Sequence, residues 1–375
     1  MKNTFGNNIT VTIFGESHGE YIGAVIDGLA PGIAINDEYI KAKLALRRPA
    51  GKISTARVEK DKYSIVSGAH NGFTTGAPLC IMIPNENTKS GDYSALADTP
   101  RPSHADYAAY CKYHNFEDKR GGGHFSGRIT AALVAAGAII GSALEKKGIK
   151  IGTHISRLYT IEDRRFENYE NDIKNLSELH FPVLDEKAAD EMRCEIEKAA
   201  SDGDSVGGVL ESAVIGIPAG VGEPWFDTAE SVLSHALFSV PAIKGVEFGL
   251  GFGYADFPGS EVNDQYAIND GRVITTSNNC GGICGGITTG MPIIFRCAVK
   301  PTPSIFKKQK TVSLSKMEDT EIQIQGRHDP AIIHRARVVV DAVTAIAIAD
   351  LLVTRFGTDY LSKPIFANNY LHLGR

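Results

Sequence analysis

The segment GESHGEYIGAVIDGLAPGI beginning at Gly15 runs without a gap against GDSVGGVLESAVIGIPAGV beginning at Gly203, and it opens a series of paired segments in the same order. ALRRPA (45–50) resembles ALFSVPA (236–242), and GFTTGAPLCIMI (72–83) resembles GITTGMPIIFRC (286–297). Arg101-Pro-Ser then resembles Lys300-Pro-Thr, and Gly122-Gly-His-Phe125 resembles Gly326-Arg-His-Asp329. Each member of the last pair leads into an alanine-rich apolar stretch, 129–144 and 338–353. This collinearity, at an offset of about 188 to 214 residues, reads as an ancient duplication with halves at about 10–150 and 203–353. Neither half carries a complete set of charged loops, so a single domain with internal pseudo-twofold symmetry is expected.

The runs rich in Val and Ile at 9–14, 24–26, 79–83, 209–217 and 293–299 are bounded by turn residues and predict strands. Tight Gly/Pro connections favour hairpins, hence largely antiparallel sheets. The stretches 129–144 and 338–353 are apolar nearly all round, as helices buried between sheets would be. Between the halves, 162–204 is polar and acidic, with helical composition at 185–200. It reads as an insertion with a solvated face, not a substrate site.

Hydrophobic content of 43% with 22% charged residues is ordinary for a globular chain. The net charge of −5 argues against a nucleic-acid partner, which would call for a strongly basic face, so any anion site must be local. The N-terminus lacks a signal-like apolar core, and no stretch reads as long and apolar enough to span a bilayer; a cytoplasmic protein with no membrane partner is expected. The six cysteines are scattered and read as reduced thiols. Cys280 and Cys284, the one close pair, lack a second ligand pair, so small buried thiols are expected and no metal.

Three glycine-rich segments place cationic or titratable side chains beside bare backbone N–H groups, a combination suited to anionic ligands. His18 sits in Gly15-Glu-Ser-His-Gly19, where an imidazole either donates a proton near neutral pH or bonds its own loop; its counterpart Val206 shows that the position does not require histidine structurally. Arg47 and Arg48, with Arg57 nearby, suit a solvated face or forked binding of carboxylate and phosphate equally. In Arg101-Pro-Ser-His104-Ala-Asp106 the carboxylate can fix the imidazole tautomer, or the segment is a helix start capped by Ser103 or Asp106. Gly121-Gly-Gly-His124-Phe125-Ser126-Gly-Arg128 precedes a helix and offers backbone donors to an anion. In Gly326-Arg327-His328-Asp329-Pro330, Asp329 stands where the first half has Phe125, an asymmetry that suits a base. No G-x-x-x-x-G-K-[S/T] segment occurs, which argues against a nucleotide phosphotransferase.

The ordered set GESHG, RRP, RPxHAD, GGG-x-x-S-x-R, GDSxGG, GGIxGGITTG, KPTxS and GRHDP resembles the chorismate synthase family from Phe14 to about Leu352. The resemblance implies an α+β fold, a β-α-β sandwich with buried helices between largely antiparallel sheets, assembled as a homotetramer. It implies a lyase that uses reduced FMN to eliminate phosphate from 5-enolpyruvylshikimate 3-phosphate in a 1,4-anti manner, giving chorismate. NADPH would enter only indirectly, for flavin reduction, and the absence of a long extra insertion points to a separate flavin reductase. By the same resemblance His18 would protonate the departing phosphate, His104 the reduced flavin, and Asp329 would help move the C6 proton. Ser17, Arg48, Arg57, Arg101, Ser126, Arg128 and Arg327 would hold substrate. Flavin contacts would fall on His124, Phe125, Ser126, Pro241, Ala242, Gly285, Lys300, Pro301, Thr302, Pro303, Ser304 and Arg327. The chain departs from the family pattern at Ser103, where RPGHAD is usual, at HFSGR in place of RSSAR, at Pro241-Ala242 in place of Asn-Ala, at Pro303 in KPTPS, and at Ala331 after GRHDP. A phosphate-ligand binding protein without catalysis could dispense with His18, His104 and Asp329, and all three are present.

Overall fold

The Val/Ile runs alternate buried and less buried side chains, as strands with one face on a core must. The structure, a computed structural model, describes residues 2–49, 53, 60–86, 98–324 and 329–362. One sheet is formed by β1 (Thr4–Phe5), β2 (Thr10–Gly15), β3 (Tyr21–Asp27), β4 (Ser64–Ser67) and β5 (Leu79–Pro84), in spatial order β1-β2-β3-β5-β4. The other contains β6 (Lys150–Leu158), β7 (Ile161–Glu162), β8 (Gly208–Ile215), β9 (Ile243–Phe248) and β10 (Ile293–Val299), in order β9-β10-β8-β6-β7. Every pairing in both is antiparallel. The helices are α1 (Asp37–Arg47), α2 (Asp106–Tyr113), α3 (Thr130–Lys146), α4 (Tyr169–Leu176), α5 (Glu186–Ser201), α6 (Ala229–Phe238) and α7 (Ile333–Phe356), besides a single short turn at Gly259–Val262.

Helix α3 packs on the first sheet, α7 on the second, and the two helices pack on each other. One continuous core results, spanning both sheets. Glycine sets the closest approach: a Cβ on Gly137 would lie 2.4 Å from the Cβ of Ala342 and 2.5 Å from its Cα. Asp350, buried on α7, accepts hydrogen bonds from the backbone N–H groups of Asn7 (2.8 Å), Asn8 (2.7 Å) and Ile9 (2.9 Å), fixing the chain's start to its last long helix.

The order strand, strand, helix, strand, strand, helix occurs twice, as β2-β3-α1-β4-β5-α3 and as β6-β8-α6-β9-β10-α7. Equivalent turns are closed by equivalent bonds. Thr74 Oγ1 donates to Ala30 O (2.7 Å) and accepts from Ile33 N–H (2.9 Å), while Thr288 Oγ1 donates to Pro218 O (2.7 Å) and accepts from Val221 N–H (3.0 Å). The acidic segment supplies α4 and α5. Ala188, Ala189, Met192, Ile196 and Ala199 bury one face of α5 and leave the charged face outward.

Two expectations are corrected. Residues Gly127–Lys146 are long and apolar enough to cross a membrane by length and composition, but 83% of the qualifying window is buried inside the protein. The apolar surface is spent on the core between the sheets. Cys284 is exposed and Cys280 only half-buried, because the glycines around them turn the chain outward into the hairpin Ile283–Thr288.

Gly137→Ala should therefore destabilise the fold by about 1–3 kcal/mol through overpacking. Gly141→Ala, whose nearest neighbours would be 3.5 Å and 3.9 Å away, should be neutral or stabilising by up to about 1 kcal/mol. Urea midpoints measured on both variants decide the contrast, and equal midpoints would show that the helices separate freely.

Candidate active site

The GESHG turn joins β2 to β3, and the glycine loop Gly121–Gly123 lies against it before α3. Ser17 N–H donates to Gly123 O (3.1 Å), and His124 Nδ1 lies 2.7 Å from Gly15 O, so the two loops are stitched backbone to backbone and side chain to backbone. Ser17 Oγ donates to Arg120 O (3.1 Å) and lies 3.1 Å from His18 Nδ1. With the hydroxyl proton given to Arg120, the His18 ring donates from Nδ1 to Ser17 Oγ.

Only glycine fits beside this ring. Gly121 has φ +61°, and a Cβ there would sit 2.1 Å from His18 Cε1; on Gly122 it would lie 3.6 Å from His104 Cε1. Two imidazoles thus flank consecutive residues, within roughly 10 Å of each other given the Cα spacing along a chain. Phe125 is partly exposed with its ring edge-on to Tyr113. Ser126 Oγ accepts from Arg128 N–H (3.3 Å) at the start of the helical run. A cleft opens here, lined by Arg101, His104, Asp106, Tyr110, Gly122 and Phe125 among others.

Beside the histidines lies a cationic cluster built on one buried carboxylate. Asp61 is bonded by Arg128, meets Arg47 at 3.4 Å through both oxygens, and lies 3.9 Å from Arg48 Nε. Burial alone would raise the Asp61 carboxyl, but the guanidiniums of Arg47, Arg128 and Arg48 outweigh it and hold it below its ordinary value. Arg128 also donates to Asn85 Oδ1 (3.0 Å) and Pro84 O (3.2 Å), and Asn85 Nδ2 donates to Glu16 O (3.0 Å) and Gly19 O (2.8 Å). Arg335 closes the chain of contacts: its Nε donates to Arg47 O (2.8 Å) and its NH1 pairs with Asp329 Oδ2 (2.5 Å). A continuous network therefore runs from the His18 loop through Asn85, Arg128, Asp61, Arg47 and Arg335 to Asp329.

The third group centres on His104. Its Nδ1 lies 2.5 Å from Asp106 Oδ1, and Arg101 grips Asp106 with both Nε (2.8 Å) and NH2 (2.8 Å). Burial works to raise the Asp106 carboxyl, yet the bonds from Arg101 and His104 hold it far below the usual carboxylate range. Helix α2 begins at Asp106 with no side-chain cap, so neither Ser103 nor Asp106 serves as the cap. Ser103 has φ +59°, the left-handed region where the family's glycine is at ease. Lys300 donates to Ser103 O, joining this segment to the second half.

Lys300 N–H donates to Ala242 O (3.0 Å), which brings the Pro241-Ala242 turn to Lys300. Thr302 O accepts from Ser205 Oγ (2.7 Å), Pro303 O from Gln309 Nε2 (3.3 Å), Pro301 packs against Gly207, and Ser304 is buried. Gly285 is not brought to this group. It lies in the hairpin bonded to the start of α6, whereas Pro241 follows that ten-residue helix, roughly 15 Å further on. Arg57 and Arg327 lie outside the described residues.

Asp61, Asn85 and Arg335 were not singled out in the sequence. None belongs to a glycine-rich motif; Arg335 alone carried a signal, as a charge at the start of an apolar helix.

This is the geometry of a small-molecule enzyme that combines acid–base groups with a locally cationic cleft. Residues 9–353 match the family model described as Chorismate synthase. Curated relatives include the chorismate synthase of Thermococcus gammatolerans, 46% identical over 93% of this chain and 97% of the relative, and that of Pyrococcus abyssi, 47% identical over the same shares. A solved structure titled "Crystal Structure of Chorismate Synthase" matches with a TM-score of 0.73 at 28% identity, covering 94% of each chain. The chain belongs to the chorismate synthase family. Its activity is that of a carbon–oxygen lyase, releasing phosphate from 5-enolpyruvylshikimate 3-phosphate to form chorismate.

Two predictions arise from this geometry. Gly121→Ala should keep its far-UV circular dichroism yet turn over on the order of 100-fold slower, because the added methyl displaces the His18 ring; unchanged turnover would show that the ring position is unimportant. Asp61 is lowered on folding, so the stability it confers is present above about pH 4, its unfolded value, and is lost as pH falls through the folded one. Asp61→Asn should thus melt well below wild type at pH 7, with the gap narrowing by pH 3; a gap constant with pH would refute the assignment.

Proposed function

We propose that His18, His104 and Asp329 handle the protons of an elimination carried out with reduced FMN. What carries the reading is that two histidines flank consecutive glycines, and that the His18 loop connects, through an arginine network, to a carboxylate contributed by the other half. The neighbouring residues fit a flavin. Thr302 Oγ1 is buried with no hydrogen-bond partner among the described residues, Phe125 offers a partly exposed ring at the cleft, and Lys300, Ala242 and Thr302 stand together. His124, Phe125 and Ser126 on one side, and Pro241, Ala242 and Lys300 to Ser304 on the other, would hold it. When bound, reduced flavin supplies the electron density that weakens the allylic C–O bond.

The residues of the chain supply the rest. His18 gives its Nε2 proton to the departing phosphate, with Nδ1 steadied by Ser17. Arg48, the most accessible guanidinium of the Asp61 cluster, meets the substrate's anionic groups together with Arg57 and Arg327. Arg128, already committed to Asp61, Asn85 and Pro84, acts chiefly through its charge and by holding the loops. Asp329, paired with Arg335, takes part in moving the C6 proton. His104 would stand beside the flavin as its proton donor and acceptor. Desolvation of the buried arginines strengthens each of these interactions.

The wider reading is a cytoplasmic homotetramer without nucleic-acid or membrane partners. A separate reductase uses NADPH to supply the flavin. The two halves descend from one duplicated unit, a reading supported by the paired Thr74 and Thr288 bonds and the repeated strand order.

Purified protein given photoreduced FMN without oxygen should convert 5-enolpyruvylshikimate 3-phosphate to chorismate and phosphate, measured by chromatography. Absence of turnover under those conditions would sink the proposal. His18→Ala and Asp329→Ala should keep substrate binding but lose about 100-fold or more in kcat; wild-type rates in both would remove their assigned roles. With NADPH and oxidised FMN alone, no turnover is expected, and turnover would show that the enzyme reduces its own flavin.

A further inference from the structure

We propose that Arg101 and Asp106 form one positioning unit for His104, keeping a proton on Nδ1 so that Nε2 is the atom that gives and takes the transferable proton. This deepens the reading of His104 given above and rests on it.

His104 Nδ1 has two near neighbours, Asp106 Oδ1 at 2.5 Å and Arg101 NH2 at 3.0 Å. A guanidinium only donates and a carboxylate at neutral pH only accepts, so one ring nitrogen cannot satisfy both. The shorter contact is to the acceptor, and a bare Nδ1 lone pair 2.5 Å from a carboxylate oxygen would be strongly repelled. Nδ1 therefore carries a hydrogen. Arg101 NH2 then serves Asp106 Oδ1 (2.8 Å), while its Nε serves Oδ2 (2.8 Å) and its backbone N–H serves Oδ2 as well (2.9 Å).

Two opposite charges thus face the same edge of the ring. The carboxylate accepts from Nδ1 while the guanidinium holds that carboxylate in place, so the ring is oriented through Nδ1 and Nε2 is its second nitrogen. Cε1 and Nε2 are the His104 atoms that a Cβ on Gly122 would meet, at 3.6 Å and 3.8 Å, and both residues line the cleft. The other charged groups lining that cleft are Glu117, Asp118 and Lys119, with Lys119 Nζ 3.9 Å from Glu117 and Asp118 paired to Arg120.

The backbone is fixed too. His104 N–H donates to Arg101 O (3.2 Å), and Lys300 holds Ser103 O. The hairpin Gln309–Ile322 of the second half clamps the residues just before Arg101: Thr311 Oγ1 donates to Pro100 O (2.6 Å), and Ser313 Oγ (2.6 Å) and Ser315 N–H (2.7 Å) donate to Asp98. Arg101 accordingly spends two of its three guanidinium nitrogens within the protein, and only NH1 remains to meet a ligand.

The first test needs no turnover. Solid-state nitrogen-15 spectra of the full-length protein, uniformly labelled at histidine and with His104 assigned by its loss in His104→Gln, should show a protonated Nδ1. A His104 signal with bare Nδ1 would overturn the proposal even if the enzyme works as proposed. In steady-state assays with reduced FMN, Asp106→Asn should lose roughly 10- to 100-fold in kcat with KM changed by less than about threefold, and its kcat–pH profile should move to lower pH. Arg101→Gln should move the profile the opposite way, and Asp106→Glu should recover part of the loss. If Asp106 merely started α2, its variants would change stability while leaving the pH profile in place, and that result would also refute the unit.

Discussion

The close contact of α3 with α7 at Gly137 and Ala342 sets the distance at which the two halves of the molecule meet. The start of α3 carries Arg128 and the glycine loop; the start of α7 carries Arg335, with Asp329 just ahead of it. Arg335 reaches from the start of α7 to Arg47 O at the end of α1, 2.8 Å away, while it holds Asp329 beside it at 2.5 Å. Close-packed cores transmit displacements because they have few voids to absorb them. Packing in the centre thus governs electrostatics at the rim.

Those electrostatics are notable for how little of the charge is left unbalanced. A net-acidic chain gathers Arg47, Arg48 and Arg128 at one point, and a buried carboxylate pays for their proximity. The pairing of Arg101 with Asp106 and of Arg335 with Asp329 repeats the device. Each guanidinium is oriented before any ligand arrives, which removes the reorganisation that a polar site in water would require. Substrate charge is met by a preset field and not by loose side chains.

Much of this was legible in the residues. The duplicated pattern led to the two antiparallel sheets because Val/Ile alternation and Gly/Pro turns carry local information, and β10 falls at 293–299 as read. The buried helices were legible because no face of either stretch is polar. His18, His104 and Asp329 stood out since glycine or proline pins each of them. Asp61 did not, because its importance lies in three arginines that reach it from sequence-distant places, and nothing near position 61 signals burial. Asn85 was hidden for the same reason: its two carbonyl partners belong to another loop. The outward turn at Cys284 was missed because glycine-rich segments specify that a chain bends but not toward which side. The span Gly127–Lys146 does reach membrane-spanning length, against the expectation that no stretch would, while its burial between the sheets is as the apolar pattern implied.

Asp350 has a further meaning for how the chain reaches its native state. Residues 7 to 9 depend for their backbone hydrogen bonds on a carboxylate more than three hundred positions later. As the polypeptide leaves the ribosome, the entry into β2 has no such acceptor until nearly the whole chain has been made. The first sheet can collapse early, but its leading edge stays unanchored through most of synthesis, a long-range closure of the kind that slows folding. The first residues to emerge are among the last to be secured.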